Sequence, residues 1–142
     1  MSMTRPPLPE ELFRLERQQE LATDVEPFGH DLAERVASGL QAGWVLAYSH
    51  RDYCGMGLYW RDGRFYYAEI YDGRPDEPAL RVFDERGAFV EWFAGQSSAS
   101  LARLDDPKPF FRGNQVIARW RVLEFVKQAD AGPPEYPQLP PD

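Results

Sequence analysis

The chain is poor in the side chains that build metal centres and covalent frameworks: it has one cysteine, Cys54, and two histidines, His30 and His50, in 142 residues. A single thiol closes no internal disulfide, and the histidines lie far apart with no cysteine at zinc-ligand spacing, so neither a structural metal nor a cofactor is expected. Long apolar runs are also missing. Nothing approaches the roughly 18 residues that a membrane span needs, and the N-terminal stretch MSMTRPPLPEELFRLERQQE lacks the apolar centre of a secretion signal. The expected location is the cytoplasm, away from membranes. Basic residues are in the minority, 16 Lys and Arg against 23 Asp and Glu, for a net charge of −7. That field repels phosphate backbones, which argues against nucleic acid as a ligand, and favours encounter with a basic protein.

Aromatic residues, by contrast, are abundant. Four Trp, seven Tyr and nine Phe within a hydrophobic fraction of 43% supply enough burial to offset the entropy lost on folding. The length suits one core, giving a single domain over residues 1–128. The proline-dense AGPPEYPQLPPD then reads as an extended C-terminal arm over 129–142.

The pattern predicts an α+β domain: an antiparallel sheet of about four strands, with two helices before it and two after. RPPLPEELFRLERQQELA starts with prolines that a first helical turn tolerates, and Leu12, Leu15 and Gln19 share a face. DVEPFGHDLAERVASGLQAGW reads as a second helix: Leu32, Val36 and Leu40 recur every fourth residue; Asp31 complements the positive helix start and Gly43 suits a left-handed exit. The period then shifts towards strands at about 44–50, 56–61 and 64–71. Asp62–Gly63 between the last two is a strong hairpin signal, because a type I′ turn needs positive φ at both central residues. ALRVFD adds a fourth strand after the polar loop DGRPDEP. DERGAFVEWFAGQ is a helix ending near Gly95, the Ser-rich 97–100 is loop, and NQVIARWRVLEFVKQ fits either helix or alternation, with Asn114 as a cap tipping it to helix.

Three clusters bear chemistry. His50, Arg51 and Asp52 form an HRD tripeptide, yet position 57 is Gly where a kinase catalytic loop places a metal-binding Asn, and no glycine-rich loop or DFG accompanies it. Cys54 served by His50 would need sulfur and imidazole within hydrogen-bond reach. An extended 50–54 separates them by roughly 13 Å, and a hairpin bend brings no oxyanion site or substrate wall; the bend is the better reading. Glu69, Asp72, Asp76 and Glu77 could do acid–base work, but no second element fixes their spacing. As a recognition surface they fit better, and together with Tyr53, Tyr59, Tyr67 and Tyr71 they make a candidate partner-binding face. Alternation sends strand aromatics both ways, so they either line an exposed face or lie under helices.

YSHRDYCGMGLYW and FVEWFAGQSSASLARLDDPKPFFRGNQVIARWRVLEF combine an S-x-R-D-Y-C-G turn, an F-x-x-W-x-A-x-Q-S helix end and a P-F-x-x-G-N-Q-x-I helix start. Over roughly residues 44–126 this resembles a group of small bacterial proteins similar to the immunity proteins of polymorphic toxin systems. The resemblance implies no enzyme activity, but the binding and neutralisation of a cognate toxin by covering its active surface. It implies a structural role for the recurring polar positions Arg51, Asp52, Gln96, Ser97, Asn114 and Gln115, leaving the loop acids to set partner choice. A small enzyme using Cys54 and His50 or the carboxylates, and a regulatory adaptor without a toxin, are the alternatives.

Overall fold

The computed structural model describes residues 19–47, 54–103 and 116–139. Within them the chain is an α+β fold with a four-stranded antiparallel sheet. Residues 19–23 are helical, and the remainder of the first expected helix lies outside the described residues. Helix α1 (His30–Gln41) follows, then strands β1 (Cys54–Arg61), β2 (Arg64–Tyr71), β3 (Arg74–Pro75) and β4 (Arg81–Phe83), and helices α2 (Arg86–Ala94), α3 (Ser98–Leu101) and α4 (Arg119–Ala129).

The hairpin expected at Asp62–Gly63 joins β1 to β2, with φ of 54° and 83° at the two turn residues and Cα partners running from Arg61↔Arg64 to Cys54↔Tyr71. The strand expected in ALRVFD is present as β4, paired with β2, whereas the strand expected at 44–50 is not formed over its described part. Of the strand expected at 44–50, Leu46 alone pairs, through an isolated bridge to Leu58 in which each amide donates to the other carbonyl at 2.9 Å; residues 48–50 lie outside the described residues. The sheet's remaining member is the unexpected β3, created by a second Asp–Gly turn at Asp72–Gly73, with φ of 51° and 81°. Both β3 and β4 pair with the far edge of β2.

Directly opposed residues of a sheet share a face. Met56, Leu58 and Trp60 therefore lie with Glu69, Tyr67 and Phe65 on the face that meets α1 and α2. Phe65 stacks on Phe89 with ring centroids 4.7 Å apart, and Tyr67 and Phe83 flank Trp92 at 5.3 and 5.1 Å. The reverse face is not left open, because Tyr59, Ala68 and Ile70 are buried as well. Most of the strand aromatics are thus covered rather than displayed.

The helical layer closes on itself through its ends. Phe28 and Gly29 at the entrance of α1 donate their amides to the Gln96 and Ala94 carbonyls at the exit of α2. Gly39 lets α1 and α4 approach closely, since a Cβ there would sit 2.9 Å from both Ala129 Cβ and a Phe125 ring carbon. Two expectations are corrected here. Ser97–Ser100 is not loop: Ser97 caps α3, its hydroxyl accepting the Ser100 amide at 3.1 Å while Ser100 Oγ accepts the Ser97 amide at 2.8 Å, a reciprocal capping box. Helix α4 exists, but its cap residue is Ala118, four residues past the expected cap Asn114, which lies outside the described residues. Ala118 has no capping side chain. The first-turn amide of α4, that of Arg119, is taken up by Ser98 Oγ at 2.8 Å, so α3 supplies the cap that α4 lacks.

Among the described residues the arm beyond α4, 130–139, has no regular secondary structure but is fastened to the body. Trp44 Nε1 donates to the Gly132 carbonyl at 2.7 Å, and the Val45 amide donates to Gln138 Oε1 at 3.2 Å.

Candidate recognition surface

The predicted binding residues divide by burial. Tyr53 lies outside the described residues, as do His50, Arg51, Asp52, Asn114, Gln115 and the Cys54 side chain. Tyr59 is 5% exposed and Tyr67 7%, on opposite faces of the sheet, so neither ring is offered to a partner. Glu69 is 8% exposed. Tyr71 is half-buried, and Asp72, Asp76 and Glu77 are exposed. Of this expected face, Asp72, Asp76 and Glu77 are exposed, Tyr71 is half-buried, and the Tyr59 and Tyr67 rings are buried.

What holds those acids in place is the edge of β2. After the Asp72–Gly73 turn the chain doubles back so that Arg74 pairs with Tyr71 and Pro75 with Ile70. The Asp76 amide donates to the Glu69 carbonyl at 2.7 Å, and the Leu80 amide to that of Tyr67 at 2.9 Å. Residues 72–80 are thus a strap stitched along one strand. Its carboxylates project from a fixed backbone, which lowers the ordering entropy that a partner must overcome.

Behind the strap sits a buried polar knot. Arg103 Nη1 donates to Glu69 Oε1 at 3.0 Å, with side-chain exposures of 16% and 10%. Tyr71 donates its phenolic proton to Glu69 Oε2 at 2.9 Å. Arg103 reaches the pair from a left-handed backbone, φ 52°, and its guanidinium also lies against the Met56 sulfur. With both oxygens engaged, Glu69 anchors the root of the strap rather than standing as an exposed contact.

Gln96 and Ser97, expected to be structural, link α2 to α3. Gln96 Nε2 donates to the Trp92 carbonyl at 3.1 Å, and Gln96 Oε1 accepts from Ser100 Oγ at 2.9 Å. A second polar centre went unforeseen. Asp24 receives Arg119 Nε at 3.0 Å and Nη2 at 3.1 Å, plus Ser98 Oγ at 2.7 Å, and Arg119 also donates to the Glu26 carbonyl while its guanidinium lies over the Phe28 ring at 4.9 Å. The Arg119 hydrogen bonds hold the Asp24 carboxyl below its usual pKa, against the opposing effect of burial. The signal is present only as scattered residues, Ser98 and Arg119 lying 74 and 95 positions from Asp24.

Among the described residues no three His, Cys, Asp or Glu side chains converge as a metal site, and no helix is long and apolar enough to cross a membrane. A groove of about 510 Å³ is lined by Val45, Trp120, Arg121, Glu124 and Phe125 among others, and among the described residues none of the predicted site residues lines it. No protein-family model matches the chain, and neither a curated protein nor a solved structure does so.

Proposed function

We propose that the chain acts by binding a basic protein stoichiometrically, and that this partner is the toxin of a bacterial toxin–immunity pair, whose active surface it covers. The observation that carries the binding half is the strap: three exposed carboxylates, Asp72, Asp76 and Glu77, on a backbone pinned to β2 at Arg74, Pro75, Asp76 and Leu80. Preorganised charge of one sign on an acidic protein accelerates capture of an oppositely charged surface and rejects like-charged competitors. The toxin half is supported by the resemblance carried by the S-x-R-D-Y-C-G turn and the P-F-x-x-G-N-Q-x-I segment.

The test is to purify the tagged chain from its native host, identify a basic protein retained at fixed stoichiometry, and express that protein in a naive strain. The reading expects growth arrest that the wild-type chain relieves and that an Asp72→Asn/Asp76→Asn/Glu77→Gln variant relieves poorly. Retention of no stoichiometric partner, or of one that is harmless when expressed alone, contradicts it.

A further inference from the structure

Resting on the binder reading, we propose that the partner engages the sheet edge at β4 as an added strand, an extended segment that alternates apolar and basic side chains. The edge has the shape for it. Among the described residues β4 pairs with β2 alone, on one side. Its side chains sort cleanly. Phe83 packs on Phe89 and Trp92, and the Arg81 guanidinium lies 5.9 Å from the Trp92 ring centre, so these two face the helices. Leu80 and Val82, two positions apart, are instead 52% and 48% exposed. Val82 stands opposite Tyr66 and Tyr66 opposite Tyr59, with the two tyrosine rings stacked at 4.8 Å and 8°. A row of side chains thus crosses β1, β2 and β4 and ends at an aliphatic residue in solvent.

Exposed aliphatics on a short edge strand run against the usual protection of sheet edges by charged side chains. Here the one charge within the step, Arg81, is exposed but turned to the Trp92 face, and the carboxylates stand at its two ends: Asp76 and Glu77 before β4, Glu85 and the Arg64-paired Asp84 after it, all exposed. Residues 72–85 hold five acids against two arginines, Arg74 and Arg81. A strand laid on this edge finds main-chain partners, a two-residue apolar step, and carboxylates flanking both sides of that step. That is the recognition mode in which backbone pairing gives affinity and alternate side chains give specificity. A docked helix would leave the edge amides and carbonyls unused.

The probe is a short synthetic peptide of alternating valine and lysine, titrated into the full chain and followed by amide NMR shifts and hydrogen exchange. The expected result is that the perturbed amides map to residues 80–84 and their exchange slows. Methylating alternate peptide nitrogens, or Val82→Asp in the protein, weakens binding at least about tenfold, while Val82→Thr, which keeps the branched strand-forming shape, has a smaller effect. Equal binding by the N-methylated peptide, or perturbation centred away from β4, overturns the proposal. With the captured basic partner the two readings separate. Affinity that falls on Asp76→Asn/Glu77→Gln but is unchanged by Val82→Asp overturns edge pairing and keeps the binder; affinity that neither change lowers overturns both.

Discussion

Arg103 and Glu69 form an ion pair at 3.0 Å with both side chains largely withdrawn from water, at the point where β2 gives way to the acidic strap. A pair of this kind contributes little by existing and much by not being broken, because either partner left alone is an uncompensated buried charge. Glu69→Gln keeps the shape and an acceptor for Tyr71 but removes the charge facing Arg103. Its expected cost is about 2–4 kcal/mol in urea unfolding. Combining it with Arg103→Met should cost less than the two single changes added together. Strict additivity would mean that the two groups are energetically independent.

Asp24 sets an acid limit. Its folded pKa is depressed by Arg119, so it adds stability that is fully present above the ordinary aspartate value near pH 4 and is lost as pH falls through the lower folded value. Asp24→Asn removes the charge and should lower stability by about 1–2 kcal/mol at neutral pH. The gap between wild type and variant should shrink steadily below about pH 4. A gap that is flat down to strongly acidic pH would assign the loss to shape rather than charge.

Gly57 marks the tightest approach within the sheet. A Cβ at this position would lie 2.3 Å from Ile70 Cδ1 and 3.0 Å from the Leu46 carbonyl oxygen. Gly57→Ala should destabilise by about 1–3 kcal/mol through overpacking. Adding Ile70→Val, which deletes the clashing methyl, should restore part of that loss. The backbone contact with Leu46 keeps the restoration incomplete.

Ser98 caps α4 from another helix, accepting the Arg119 amide and donating to Asp24. Ser98→Ala removes both bonds and should cost about 1–2 kcal/mol. Amide exchange should quicken first in the opening turn of α4, read by NMR. Acceleration confined to α3 would show that the cap is not what holds the α4 start.

These cases show what was legible in the chain beforehand. Asp62–Gly63 announces its hairpin because apolar runs flank it; Asp72–Gly73 carries the same turn chemistry but is followed by the polar, proline-bearing RPDEP, whose composition reads as loop. Segment 44–47 has strand composition yet contributes a single bridge, since composition reports fitness for a pleated surface and not a pairing partner. The Ser97–Ser100 box was legible in principle, but it caps a helix of four residues, too short for periodicity to register. Burial was the hardest feature. β2 is covered on both faces, so alternation could not tell Tyr67 and Glu69 from exposed residues. The exposed acids of the strap were identified, whereas the stitching that fixes them depends on backbone bonds that no side chain signals.

The central claim is that the strap's carboxylates draw in a basic partner. Its most direct test is the association rate of the captured partner, measured by stopped flow from low to high salt, for wild type and for Asp72→Asn/Asp76→Asn/Glu77→Gln. The account predicts a wild-type rate that falls steeply with salt, a slower variant with a shallower dependence, and convergence of the two at high ionic strength. Identical rates and identical salt slopes would contradict it.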